Sequence, residues 1–229
     1  VSAVRDATHT TGIDGAAARF LTVGHSNLEL EDFLAMLTEA GVTDVVDVRR
    51  LPGSRKYPWF DQDPLRESLA GAGIGYHYLV VLTGRRPRQK DVDPALNAFW
   101  ENQSFHNYAD YALGAEFADG LAELRTGFGA RPAVMCSEAV WWRCHRRLIA
   151  DRLLAAGEDV RHLMGPGKEA RATLTRGAVV GQGGRVTYPA ADRAACRGPP
   201  GAVGPWHRPP GRSADGRRTG AGVVGSLRA

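Results

Sequence analysis

Short apolar runs alternate with amphipathic stretches through most of this chain. Phe20-Leu21-Thr22-Val23-Gly24 reads as a strand running into Gly24-His25-Ser26-Asn27. Leu28, Phe33, Leu34 and Leu37 then recur at helical spacing, with Ser26 or Asn27 as the expected cap and Gly41 as the stop. Val42 to Val48 predicts a second strand, apolar enough to be covered on both faces. Asp63-Pro64 opens another helix that ends near Gly71 to Gly73, and Ile74 to Leu79 predicts a third strand. A polar connection over 83–94 leads to an aromatic segment, Phe99 to Tyr111, and to helical spacing through Phe117, Leu121 and Leu124. Pro132 to Cys136 predicts a fourth strand. A polar, aromatic corner follows it, then a helix to Ala156, and Asp159 to Leu163 predicts a fifth strand.

Strands that alternate with helices in this way predict a single α/β domain with a mostly parallel central sheet of about five strands flanked by helices. The expected bounds are 18–189. Residues 1–17 are small, polar and aperiodic, and are expected to be a disordered leader. Residues 190–229 are dominated by Gly, Pro, Arg and Ala, and are expected to be a disordered tail. The abrupt change suggests a reading-frame shift in a GC-rich coding sequence; the competing reading is a basic nucleic-acid-binding tail. No dinucleotide fingerprint is present, because Gly71-Ala72-Gly73-Ile74-Gly75 precedes a strand instead of following one. No run approaches the length of a membrane span, and no secretory leader is legible, so the expected location is the cytoplasm, with no membrane partner.

Three cysteines in 229 residues argue for free thiols, metal ligands or a reactive residue over a disulfide framework. A net charge of +4 favours an anionic partner, weakly, since several of the basic residues lie in the tail.

The predicted strand ends gather the chemistry. In a parallel sheet the carboxyl ends share one edge, where ligands bind. His25, Ser26, Asp47, Arg49, Ser54, Arg55, Arg85, Arg86, Glu138, Trp141, Arg143, His145 and Arg146 all fall at or just after such ends. The arginines offer forked donors for phosphate or carboxylate, and aromatics such as Trp141 can stack on bases. Glu138, with Asp47 or His25, is the candidate for acid–base work.

Cys136 at the end of its strand is a candidate nucleophile, in the manner of rhodaneses and cysteine phosphatases. The six residues between Cys136 and Arg143 include two tryptophans and no glycine, a poor backbone cradle for phosphate. Cys136, Cys144 and His145 are an alternative metal set. The adjacency of Cys144 and His145 counts against it, because neighbours on a helix point about 100° apart.

Several motifs occur together and in order: Thr22-Val23-Gly24-His25-Ser26; Val46-Asp47-Val48-Arg49; Ser54-Arg55 with Phe60; Gly84-Arg85-Arg86; Phe105 with Tyr108-Ala109; Met135-Cys136-Ser137-Glu138; and Arg143-Cys144-His145-Arg146. From about Arg19 to Leu163 the chain resembles the domain of unknown function 488 family, with a looser echo in Val186-Thr187-Tyr188-Pro189. The resemblance implies a small cytoplasmic α/β protein and brings no established reaction or cofactor. The leading expectation is that the sheet edge binds a phosphate-bearing ligand, a nucleotide or nucleic acid, and hydrolyses it. The alternatives are a non-catalytic nucleotide or nucleic-acid binding module and, lower, a cysteine-dependent redox or sulfur-transfer protein.

Overall fold

The computed structural model describes residues 18–53 and 55–190. Five parallel strands form the body of one sheet: β1 (Phe20–Gly24), β2 (Asp44–Asp47), β3 (Gly75–Tyr78), β4 (Pro132–Cys136) and β5 (Val160–Gly165). A sixth strand, β6 (Lys168–Arg171), joins antiparallel to β5, giving the order β3-β2-β4-β1-β5-β6. The sequence pattern misses β6 because Lys-Glu-Ala-Arg carries no apolar signal; charge of this kind suits a strand at a sheet edge. A two-stranded ladder of β7 (Val179–Val180) and β8 (Val186–Thr187) lies apart from this sheet.

Alternation along the strands sends side chains to opposite faces. Leu21, Val23, Val45, Ala133 and Met135 pack with Phe33, Met36 and Leu37 of α1 (Leu30–Glu39) and Leu65 and Leu69 of α2 (Gln62–Gly71). Phe20, Val46, Val134 and Cys136 face the other way. They pack with Tyr108 of α3 (Gln103–Tyr111), Phe117 and Leu121 of α4 (Ala115–Thr126), and Leu148, Ile149 and Leu153 of α5 (Arg146–Ala155). The core is therefore two apolar layers separated by the sheet. Among the described residues no helix is long and apolar enough to cross a membrane.

This arrangement fixes where a site can lie. The chain leaves β1 and β2 toward the layer of α1 and α2, but leaves β4 toward the layer of α5. β4 lies between β1 and β2. The loops at its carboxyl end therefore diverge from those of both neighbours and open a crevice, the switch point at which open α/β sheets bind ligands.

One local expectation fails. Neither Ser26 nor Asn27 caps α1; its N-cap is Glu29, whose side chain makes no capping bond. Ser26 instead takes a left-handed backbone (φ 48°), and its N–H is held by the Ser137 carbonyl at 3.0 Å, which draws the turn toward β4. The stretch after β6 is tied back to α5: Tyr188 Oη donates to Asp151 Oδ2 (2.8 Å), and Asp151 Oδ1 accepts the Thr175 N–H (2.8 Å). The expected leader and all of the expected tail after Ala190 lie outside the described residues.

Candidate functional site

A cavity of about 650 Å³ opens at this switch point. Cys136, Cys144 and His145 line it together with His25, Ser26, Glu138 and Arg143. The turn after β1 is held to the end of β4 by two backbone bonds in the same direction: His25 N–H donates to the Cys136 carbonyl (3.1 Å) and Ser26 N–H to that of Ser137. Such proximity requires Gly24. A side-chain carbon there would overlap the Glu138 carbonyl oxygen and come within 2.8 Å of Arg146 Nη1.

Two buried arginines expected to bind ligand are committed to the protein itself. Asp47 is fully buried, and its carboxylate accepts Arg49 Nε (3.0 Å to each oxygen), Arg49 Nη2 (2.7 Å), the Arg49 N–H (2.9 Å) and Tyr76 Oη (2.8 Å). Arg49 Nη1 donates to the Phe60 carbonyl at 2.7 Å and lies 3.2 Å from His25 Nε2. Asp47 thus orients Arg49 and does not reach the cavity, whereas Arg49 contributes to its wall. Arg146, 1% exposed, donates Nη1 to the Glu138 carbonyl and Nη2 to that of Ala139 (2.9 Å), pinning the loop after β4. It is not among the residues lining the cavity.

The remaining expected residues divide. Arg85 lines the cavity, while Arg86 turns away and donates to the carbonyls of Thr83 (2.9 Å), Val80 (2.8 Å) and Val81 (2.9 Å). Trp141 stacks on His162 (4.2 Å between centroids) and is absent from the cavity wall. Arg55 is exposed and also absent from the wall, and Ser54 lies outside the described residues. Arg50, Gly84 and Phe105, outside the expected ligand-binding set, also line the cavity. Arg50 had a readable signal, since it sits in the same basic loop as Arg49. Gly84 had none. It packs so closely on His145 that a side-chain carbon at 84 would fall 2.8 Å from Nδ1.

Burial, with Arg49 nearby, lowers the His25 pKa to about 4. The Cys136 thiol is held well below the ordinary thiol range: Cys144 hydrogen-bonds to it, His145 adds a hydrogen bond and a favourable charge interaction, and the Glu138 N–H adds another, against the opposing effect of burial. Cys144 is pushed up in turn by its bond to Cys136 and by burial. The floor can therefore present sulfur as a thiolate.

Cys136, Cys144 and His145 are also the one group with metal-ligand character found among the described residues; their donor atoms all lie within 4.8 Å of one another. The adjacency objection to this set does not hold. Cys144 precedes the helix in extended backbone (φ −120°, ψ 146°) while His145 is already helical (φ −59°, ψ −21°), and Sγ lies 3.6 Å from Nδ1.

Behind the cavity, His162 is buried against Thr22 Oγ1 (2.7 Å from Nδ1), and burial, with Arg146 and Arg147 nearby, lowers its pKa to about 4. Unfolding restores a value near 6.5, so the unfolded chain binds the extra proton first. Stability is thus expected to fall between about pH 6.5 and pH 4, with this one group contributing about 1.4 kcal/mol per pH unit within the window. The difference in urea-unfolding free energy between the native chain and His162→Gln should change with pH across that window; a constant difference would refute the assignment.

No match was found among curated proteins, and none among solved structures. The family model for "Domain of unknown function DUF488" matches residues 29–153, a span from the start of α1 through most of α5 that includes β4 and the Cys136 to His145 corner. This chain belongs to the DUF488 family.

Proposed function

We propose that the cavity binds a phosphate-bearing small molecule of nucleotide size and that Glu138 acts on it as a proton acceptor in hydrolysis. The observation that carries the reading is the charge of the wall. Arg50, Arg85 and Arg143 line the cavity and are exposed, and none of the three forms an ion pair among the described residues. Among the described residues, Glu138 is the single carboxylate lining the same space. Unpaired guanidinium groups facing a cavity match a phosphate or carboxylate with charge-assisted, forked hydrogen bonds.

The backbone supports the same reading. Among the described residues, the two non-glycine residues with positive φ are Ser26 (48°) and Arg85 (57°), and both line this cavity. Conformations of this kind concentrate at binding and catalytic sites, where the surrounding structure holds them. The volume is in the range of small-molecule and cofactor sites.

Calorimetric titration with inorganic phosphate, mononucleotides and short oligonucleotides tests the reading. Binding of a phosphate compound is expected to weaken roughly tenfold or more in Arg143→Ala and in Arg85→Ala, since a hydrogen bond to a charged group contributes about 1.5–3 kcal/mol. Unchanged affinity in both variants would remove the arginines from the site. Glu138→Gln is expected to keep binding and lose turnover. If the native chain binds the compound and never turns it over, the cavity is a non-catalytic nucleotide sensor. Steep weakening with salt would point to nucleic acid in place of a mononucleotide.

A further inference from the structure

We infer that Cys136 Sγ, Cys144 Sγ and His145 Nδ1 form a binding site for a thiophilic divalent cation of the zinc class, with its fourth coordination position open to the cavity. The inference stands on these donors alone and does not depend on the anion reading.

The geometry fits a tetrahedral ion. Metal–sulfur and metal–nitrogen bonds of about 2.3 and 2.0–2.1 Å place neighbouring donors roughly 3.5–3.8 Å apart. Cys144 Sγ and His145 Nδ1 are separated by 3.6 Å, and one ligand atom from each of the three residues, a ring nitrogen in the case of His145, lies within 4.8 Å of the others. Small side-chain rotations therefore suffice to close the set on a cation. Two sulfurs and an imidazole select zinc and its soft neighbours over magnesium or calcium, which take oxygen ligands. Two thiolates also neutralise the ion's charge, as burial of the pair requires.

His145 Nε2 is buried and has no hydrogen-bond partner, so no protein acceptor sets the ring's orientation through that atom. The ring is instead gripped from two sides. Tyr108 packs edge-on at 4.9 Å, and Gly84 leaves room beside Nδ1 that any other residue would fill. Those contacts aim Nδ1 at the sulfurs. All three residues line the cavity, so an ion held by them would be within reach of solvent and incoming ligand. Three protein donors with one open position is the pattern of catalytic zinc, whereas structural sites are closed by a fourth protein ligand.

The test uses the untagged full-length chain. After exposure to zinc and removal of excess, elemental analysis is expected to find one equivalent per chain. Cobalt substituted for zinc is expected to give intense thiolate-to-metal charge-transfer absorption with the visible bands of tetrahedral cobalt. Cys144→Ser and His145→Gln are expected to lose the equivalent, and Gly84→Ala to weaken it without altering any donor, by moving the imidazole. No stoichiometric zinc in the native chain would overturn the inference, as would cobalt bound without sulfur charge transfer. So would full retention of metal in a Cys136→Ser, Cys144→Ser double variant that keeps native circular dichroism. Should the variants fail to fold, the cobalt spectrum of the native chain decides alone.

Discussion

Asp47→Asn is expected to destabilise the fold by about 3–5 kcal/mol, the range observed when one member of a buried ion pair is removed. Arg49 is 4% exposed and its partner is fully buried. Asparagine retains the shape but not the charge, so the guanidinium remains in the interior with no counter-ion. Its other partners, the Phe60 carbonyl and His25 Nε2, are neutral dipoles, and His25 is kept uncharged by the same burial. A loss of this size is a third or more of a typical domain's stability of 5–15 kcal/mol. Urea unfolding of native and variant chains measures it. Tyr76→Phe removes one hydrogen bond to the same carboxylate and is expected to cost only about 1 kcal/mol. A cost below 1 kcal/mol for Asp47→Asn would mean that Arg49 swings out to water, and would reopen it as a ligand-binding arginine.

Gly24→Ala is expected to destabilise the fold as well. The added methyl overlaps the Glu138 carbonyl oxygen, and neither this backbone atom nor Arg146, clamped on the same carbonyl, is free to yield. Overpacking in a fixed setting costs typically 1–3 kcal/mol, and here the strain falls on the bonds from His25 and Ser26 to the β4 end. The variant should therefore lose both stability and the cavity's ligand. Gly71→Ala is the matched control: no atom lies within 4 Å of the added methyl, at the end of an exposed helix turn. It is expected to be neutral or to stabilise by about 0.4–1 kcal/mol through the unfolded chain. Equal effects from the two substitutions, read by thermal unfolding, would refute the account of Gly24.

The parallel body of the sheet was legible because strands buried on both faces are written as nearly unbroken apolar runs, as in Val45-Val46 and Pro132 to Cys136. The corner after β4 was legible for the same reason: polar residues crowd where an apolar run stops. The fate of each arginine was not. Arg49, Arg86 and Arg146 carry the same side chain as Arg50, Arg85 and Arg143, and only folded geometry shows that the first three spend their donors on Asp47 and on backbone carbonyls. The convergence of Cys144 and His145 was hidden too. It depends on Cys144 staying in extended backbone while His145 turns into the start of α5, and element ends are where pattern is weakest. Gly84 carries no chemical group to notice, and its contribution is the space that it leaves.

The strand order also bears on how the protein comes to exist. β4 fills the gap between β1 and β2, so Leu21 and Val45 have no common neighbour until Ala133 arrives between them. During synthesis the first three strands emerge with that slot open, and they expose unpaired backbone and the apolar inner faces of β1 and β2. Long-range parallel pairing of this kind is slow, and intermediates that display such edges tend to aggregate. The cavity, whose floor is the end of β4, cannot form before that insertion. A ligand or cation that seats itself on Cys136 would hold this inserted central strand in place, and would act as a latch on folding before it acts in any reaction.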